Sequence, residues 1–344
     1  MIASNVTRKG FRRALSDVVG IDIATTGVKA VRVKRGKDGL SLVGAAILPQ
    51  VSLGDENGEG DGPTRVSVPK ALRSRFAALA VTGESSVIRL LNLPGFSNQS
   101  PNAEATVREQ VGLEQGYRLG YRVAGQARGK AEATLVAVGM SDADAVALQA
   151  VMGGGQPAPI SVEVSALSSL SAFLRGPGTE ITDGAVGLVE TGAKVTSLAI
   201  FANRAPILLR KFDFGSDAIL QKVKHQFGVD HETSVSILTD PSFDISQAVR
   251  DATGSFHRQL SMSKEFVERK VGVPVKHWYL AGGMSLMRCW DQQLREILGA
   301  NLSLWNPVDD LHVAPDAWPV GLRGQEVRFA SAIGAAVGAL EESE

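Results

Sequence analysis

The sequence predicts a two-lobed α/β protein, and three observations carry that prediction. Each half opens on an apolar strand broken by one acid, a turn of small residues and a second apolar strand. In the first half these are Val18-Val19-Gly20-Ile21-Asp22-Ile23, then Ala24-Thr25-Thr26-Gly27, then Val28 to Val33. In the second they are Ala185 to Val189, then Glu190-Thr191-Gly192-Ala193-Lys194, then Val195 to Phe201. Laying Asp22 over Glu190 also lays Ala24 over Gly192 and Lys29 over Ser197; recurrence at the start of each half marks a repeated unit. Strand patterns alternate with helical ones in both halves, as in α/β proteins. The 344 residues, 44% of them apolar, suffice for two domains with their own cores.

The elements follow in order. Leu40 to Leu48 reads as a third strand. Gly54 to Pro63 holds only acids, glycines, one asparagine and one proline, and reads as a linker. Val68 to Ala80 is expected to be a helix, Val87 to Leu93 a strand stopped by Pro94, and Pro101 to Glu114 a helix with proline at its start. Arg118 to Ala124 and Glu132 to Met140 read as strands. Ser141-Asp142-Ala143-Asp144 is a capping-box start for a helix to Met152, which Gly153-Gly154-Gly155 ends. Ile160, Val162 and Val164 make a short strand, and Ser165 to Phe173 a helix. Past Phe214-Gly215, helix is expected over Asp217 to Phe227 and, mixed, on to Lys270. A strand over Gly272 to Leu280 runs into Ala281-Gly282-Gly283-Met284. A helix near Leu286 to Leu298, a strand over Asn301 to Trp305 and a helix over Glu326 to Leu340 complete the chain. Ala330, Gly334 and Gly338 let that last helix lie close to a neighbour. The tryptophans at 278, 290, 305 and 318 are expected to pack the second lobe.

Several function classes fall away. Thirty-six basic residues balance thirty-six acidic ones, so no basic excess points to nucleic acid. No run approaches the ~20 apolar residues of a membrane helix, and the basic stretch from Met1 to Asp17 has no signal-peptide core. The reading is a cytoplasmic protein, with that stretch either a frayed start or a weak anchor for an anionic surface. One cysteine, Cys289, excludes an internal disulfide. The five histidines have no metal-binding spacing. No Gly-x-Ser-x-Gly elbow supports an α/β-hydrolase.

Two hairpins with acids at their bases, together with a strand–Gly–Gly–helix unit, suit a nucleotide. Small-residue turns offer backbone N–H groups to phosphate. Asp22 and Glu190 would hold Mg²⁺, usually through water. Gly282 and Gly283 let backbone approach a ring or phosphate without a Cβ in the way. Asp22 has the alternative of capping its turn. Lys29 either touches phosphate, pairs with a nearby acid or faces solvent. Lys194 either contacts phosphate or reaches Asp22 or Glu190 as a built-in cation.

The segment from Val19 to Val31 resembles the first phosphate motif of the actin-like ATPases, nearest to PilM of type IV pilus assembly and FtsA of cell division. Ser85 to Pro94 is similar to the opening of the small subdomain inserted in PilM, and Ala133 to Met140 to its continuation. Ile160 to Ser165 resembles the return to the main lobe and Trp278 to Met284 the adenosine motif. Asn306-Pro307 and Phe329 to Ala336 match the PilM ending. The resemblance runs over nearly the whole chain and implies a two-lobed actin-like ATPase fold with a small α+β subdomain. The expected divisions are 1–17, a basic segment; 18–184, a first lobe with the insert at about 87–155; 185–321, a second lobe with the nucleotide-type cleft; and 322–344, a helix returning to the first lobe.

What the resemblance implies for function is a cytoplasmic scaffold of a pilus or related secretion platform. It would hold the N-terminal tail of a PilN-like protein and sit at the inner membrane through that partner, and self-association is compatible with this role. The resemblance also implies an ATP site with Mg²⁺, drawing on Asp22, Thr25, Thr26, Lys29, Gly192, Ala193, Lys194, Gly282, Gly283 and Met284. Asp22 and Glu190 would be its metal-shell acids. The departures point to erosion. Ala24 stands where the family usually has glycine, Glu190 where it has aspartate, and Lys194 where it favours small or hydroxyl residues. Val235 and Leu238 align with the family's nucleoside-binding Glu and Lys. ATPase activity is therefore expected to be weak or absent. The rivals are an active ATPase or small-molecule kinase, for which no Asp general base is found, and an FtsA-like filament protein. The acidic ending Glu341-Glu342-Ser343-Glu344 lacks FtsA's amphipathic membrane helix.

Overall fold

The computed structural model describes residues 14–52, 64–126, 132–180, 184–203, 205–240, 242–288, 290–299 and 301–343. The basic stretch through residue 13, the linker at 54–63 and Cys289 lie outside the described residues. The chain divides into two compact units, Met1–Glu180 with Asn306–Glu344, and Ile181–Trp305.

In the first unit β1 (Asp17–Ala24), β2 (Gly27–Gly36) and β3 (Gly39–Leu48) form an antiparallel meander, and β4 (Phe76–Val81) pairs in parallel with β1. β5 (Val87–Pro94), β6 (Tyr117–Gln126) and β7 (Glu132–Ser141) form a separate three-stranded sheet in the order β5-β7-β6. α1 (Ala103–Val111) covers one face, where Val107 and Val111 meet Leu119, Tyr121 and Leu135. α2 (Asp142–Met152) starts on the expected cap: the Ser141 hydroxyl accepts the Asp144 N–H at 3.0 Å. β8 (Ala158–Val164) extends the main sheet beside β4, and α3 (Ser165–Arg175) follows.

Alternation sets what each face of β1 meets. Val19, Ile21 and Ile23 enter a core with Leu72, Leu79, Leu148 and Val151. Gly20 and Asp22 point to the opposite face, where the last helix, α8 (Ala330–Glu342), packs. A Cβ on Gly20 would overlap the Ala332 carbonyl, and one on Gly334 the Ser168 carbonyl of α3. Small residues thus bring α3, α8 and the sheet together, as expected for Gly334.

The second unit repeats the plan. β9 (Ala185–Thr191), β10 (Thr196–Ala202) and β11 (Ala205–Phe212) form an antiparallel meander. β12 (Val275–Ala281) and β13 (Leu302–Leu304) add to it in parallel. The order β11-β10-β9-β12-β13 matches β3-β2-β1-β4-β8 strand for strand and direction for direction. α4 (Ser216–Phe227), α5 (His231–Thr239), α6 (Ser246–Val271) and α7 (Trp290–Leu298) contribute to one core. Phe214 stacks on Phe256 at 4.4 Å, and Trp290 packs beside both.

The structure corrects several expectations. Residues 68–80 are not a helix. They hold a short 3₁₀ turn, Lys70–Leu72, and then β4. Its alanines read as helix formers, yet the strand is buried between two parallel neighbours, where an apolar run carries no alternation. β11 was not anticipated; Pro206 and Arg210 interrupt its pattern. α7 begins at Trp290, after a 3₁₀ turn at Gly283–Leu286. Trp318 belongs to the first unit, against Phe329 at 4.9 Å, not to the second. The return to the first unit falls at Asn306, ahead of residue 322, because β14 (His312–Val313) pairs in parallel with β3.

Candidate functional site

The candidate residues form two sets, one in each unit. In the first, β1 and β2 close through Thr25 and Thr26, with Ala24 opposite Gly27. Gly27 has φ +115°, a conformation an L side chain resists. This register places Asp22 directly across from Lys29. Both side chains are 6% exposed, and the Lys29 Nζ stands 3.8 Å from Asp22 Oδ2, an ion-pair distance rather than a hydrogen bond. Nζ also donates to the Gly27 carbonyl at 3.3 Å. The other carboxylate oxygen, Oδ1, accepts the Ser165 hydroxyl from the first residue of α3 at 2.9 Å. Burial pushes the Asp22 carboxyl above the ordinary carboxylate range, while Lys29 and the Ser165 hydroxyl pull it down. Of the readings open for Lys29, the pairing with a nearby acid is the one seen here.

In the second unit Glu190 lies across from Ser197, the register position of Lys29. Glu190 is half-buried and accepts the Ser197 hydroxyl at 3.4 Å. The turn closes by the Gly192 N–H donating to the Val195 carbonyl at 3.0 Å. Its carbonyls are taken by the start of α4: the Ser216 N–H donates to Gly192 at 3.1 Å and the Asp217 N–H to Ala193 at 2.9 Å. A Cβ on Gly215 would overlap both of those carbonyls. Lys194 is exposed.

Gly282 sits against this hairpin. Its φ is +86°, and a Cβ there would overlap the Thr191 carbonyl. The Thr191 hydroxyl lies 3.2 Å from that of Ser285. Gly283 is exposed, whereas the side chain of Met284 is buried in the core. On α5, Val235 is exposed and Leu238 is in the core.

Sequence reasoning missed Ser165, Ser285 and the buried Glu163, whose Oε2 accepts the Ser168 hydroxyl at 2.8 Å. Glu163 shares a sheet row with Ala80 and Asp22. A lone acid inside the apolar stretch Ile160 to Val164 was the available signal.

Asp22 does not fit a divalent ion. One Asp22 oxygen is held by Ser165 and the other faces an ammonium group, so neither is directed at a metal. Among the described residues no three His, Cys, Asp or Glu side chains group as metal ligands.

A family model described as type IV pilus assembly protein PilM matches residues 20–339. Among solved structures, the chain is similar to a PilM–PilN type IV pilus biogenesis complex, at 19% identity and TM-score 0.77. The match covers 95% of this chain and 99% of that one. Ta0583, an archaeal actin homolog, matches over 94% of this chain and 99% of its own at 12% identity, with a TM-score of 0.47.

Proposed function

Because the chain belongs to the PilM family of type IV pilus assembly proteins, we propose that it is a scaffold of the inner-membrane assembly platform. Its work is to hold the N-terminal tail of a PilN-like membrane protein. The family match across residues 20–339 carries this reading. The fold is actin-like, two units built on the same order of strands. No helix among the described residues is long and apolar enough to cross a membrane. That suits a cytoplasmic protein brought to the membrane by its partner.

The tail would bind as an extended peptide where the three-stranded subdomain meets the rest of the first unit. Calorimetry with a synthetic PilN-like tail tests this. Micromolar binding is expected, with loss when residues 87–155 are replaced by a short linker while the second unit stays folded. Unchanged affinity in that variant rules out the groove. Fractionation with and without the partner tests location, since firm membrane retention in its absence contradicts recruitment.

The nucleotide part of the proposal is weak ATP binding without efficient turnover. The turns at Thr25–Thr26 and Gly192–Ala193 and the glycines at 282 and 283 support it. Val235 and Leu238 offer no hydrogen bonds to a nucleoside, and each lost charge-assisted contact costs roughly 1–3 kcal/mol.

A further inference from the structure

We infer that the cation of the first hairpin is Lys29 itself, so that Asp22 is a neutralised structural acid and not a divalent-metal ligand. This concerns the nucleotide part of the proposal above, but its evidence is independent of any nucleotide. Lys29 and Asp22 face each other across two adjacent strands, in a register fixed by the two-residue turn. Both side chains are 6% exposed, so the ammonium group cannot swing into solvent to make way for an ion. It is held by the Gly27 carbonyl as well as by the carboxylate. On its other side Asp22 is fixed by the Ser165 hydroxyl. A hydrated divalent ion is held by carboxylate lone pairs directed at its water shell. Here the approach carries a positive charge within 4 Å of the oxygen a metal would use. In a site this shielded from water, that charge opposes a second cation more strongly than it would at the surface.

The consequence is a hairpin whose charge balance is complete without metal. Any anion that meets it, a nucleotide phosphate included, does so with no help from Mg²⁺ bound to Asp22. At the matching position the second hairpin has Ser197 in place of the lysine.

Manganese alone is the probe, followed by water-proton relaxation on the full chain. Wild type and Asp22→Asn/Lys29→Met should give the same signal. Lys29→Met, which leaves the acid and removes the cation, should gain one site at least about tenfold tighter than anything in wild type. A wild-type site lost in the double variant overturns the inference. Should Lys29→Met fail to fold, the comparison of wild type with the double variant decides by itself. A separate ATP titration in EDTA and in Mg²⁺ reads the nucleotide proposal: no binding in either buffer counts against that proposal and leaves the manganese result standing.

Discussion

The two units are one plan executed twice, and they differ most where the plan is most alike. Both sheets open on an acid in a hairpin, paired across the ladder at the same register. In the first unit the pair is Asp22 with Lys29, both buried; in the second it is half-buried Glu190 with Ser197. Each hairpin is also tied to a helix start, in different ways. Ser165 at the start of α3 gives its hydroxyl to the acid. The start of α4 gives backbone N–H groups to the turn carbonyls. The first unit fastens the side chain and the second fastens the backbone. Fastening the side chain requires an internal counter-ion, because a buried carboxylate without one is far too costly.

The largest expected effect comes from stranding one member of the buried pair. Lys29→Met leaves the Asp22 charge uncompensated and should cost about 3–5 kcal/mol, whereas replacing both partners, as in Asp22→Asn/Lys29→Met, should restore most of the loss. Urea unfolding read by a probe in the first unit measures this. If the double variant were no better than the single one, Lys29 would be acting through packing, and the difference between the hairpins would not be electrostatic.

Glycine substitutions come next, and here the second hairpin is the more sensitive. Gly282→Ala combines a left-handed backbone with overlap of the Thr191 carbonyl. It should cost more than the roughly 1–2 kcal/mol of the backbone strain alone. Gly27→Ala in the first hairpin meets the Leu48 carbonyl at 3.4 Å and Ile47 Cγ2 at 4.0 Å, both ordinary contacts, and should cost no more than that strain. Equal melting shifts for the two would mean that the backbone of the second hairpin is no more tightly fastened than that of the first.

The pH dependence follows from the raised Asp22 carboxyl. The folded state holds its proton to higher pH than the unfolded chain does, so the folded state binds more protons between the two pKa values. Wild type should therefore lose stability relative to Asp22→Asn/Lys29→Met as pH rises from the ordinary carboxylate range through the folded-state value, and the gap should then level off. Wild type gaining stability relative to the double variant as pH rises would show that the Lys29 and Ser165 contacts outweigh burial.

Much of this contrast was legible in the sequence. The repeat, the hairpins and the equivalence of Lys29 with Ser197 follow from alternation and turn residues, which are local signals. The burial of Lys29 was not legible, because it depends on α3 and α8, helices far along the chain that cover Gly20 and Asp22. β4 was lost for the same reason: its alanines suit helix locally, and only two parallel neighbours make it a strand. Met284 stands beside the glycines in sequence, but adjacency says nothing of direction, and its side chain turns into the core.

The smallest effect is the most discriminating. Ser197→Lys places a lysine across from Glu190, copying the first unit's pair into the second. If register alone made the ion pair, this variant would gain as much as Lys29→Met loses. Glu190 is half-buried, however, and water screens a charge there, so the gain should be at most about 0.2–1 kcal/mol and should fade with added salt. Removing the acid instead, in Glu190→Gln, should likewise change stability by less than about 1 kcal/mol, because no buried charge is left behind. The copied pair would also leave the α4 start unchanged, since Ser216 and Asp217 donate to carbonyls and not to the acid. A salt-insensitive gain of several kcal/mol would mean that Glu190 behaves as a buried acid, and the two hairpins would then be alternative fillings of one electrostatic design.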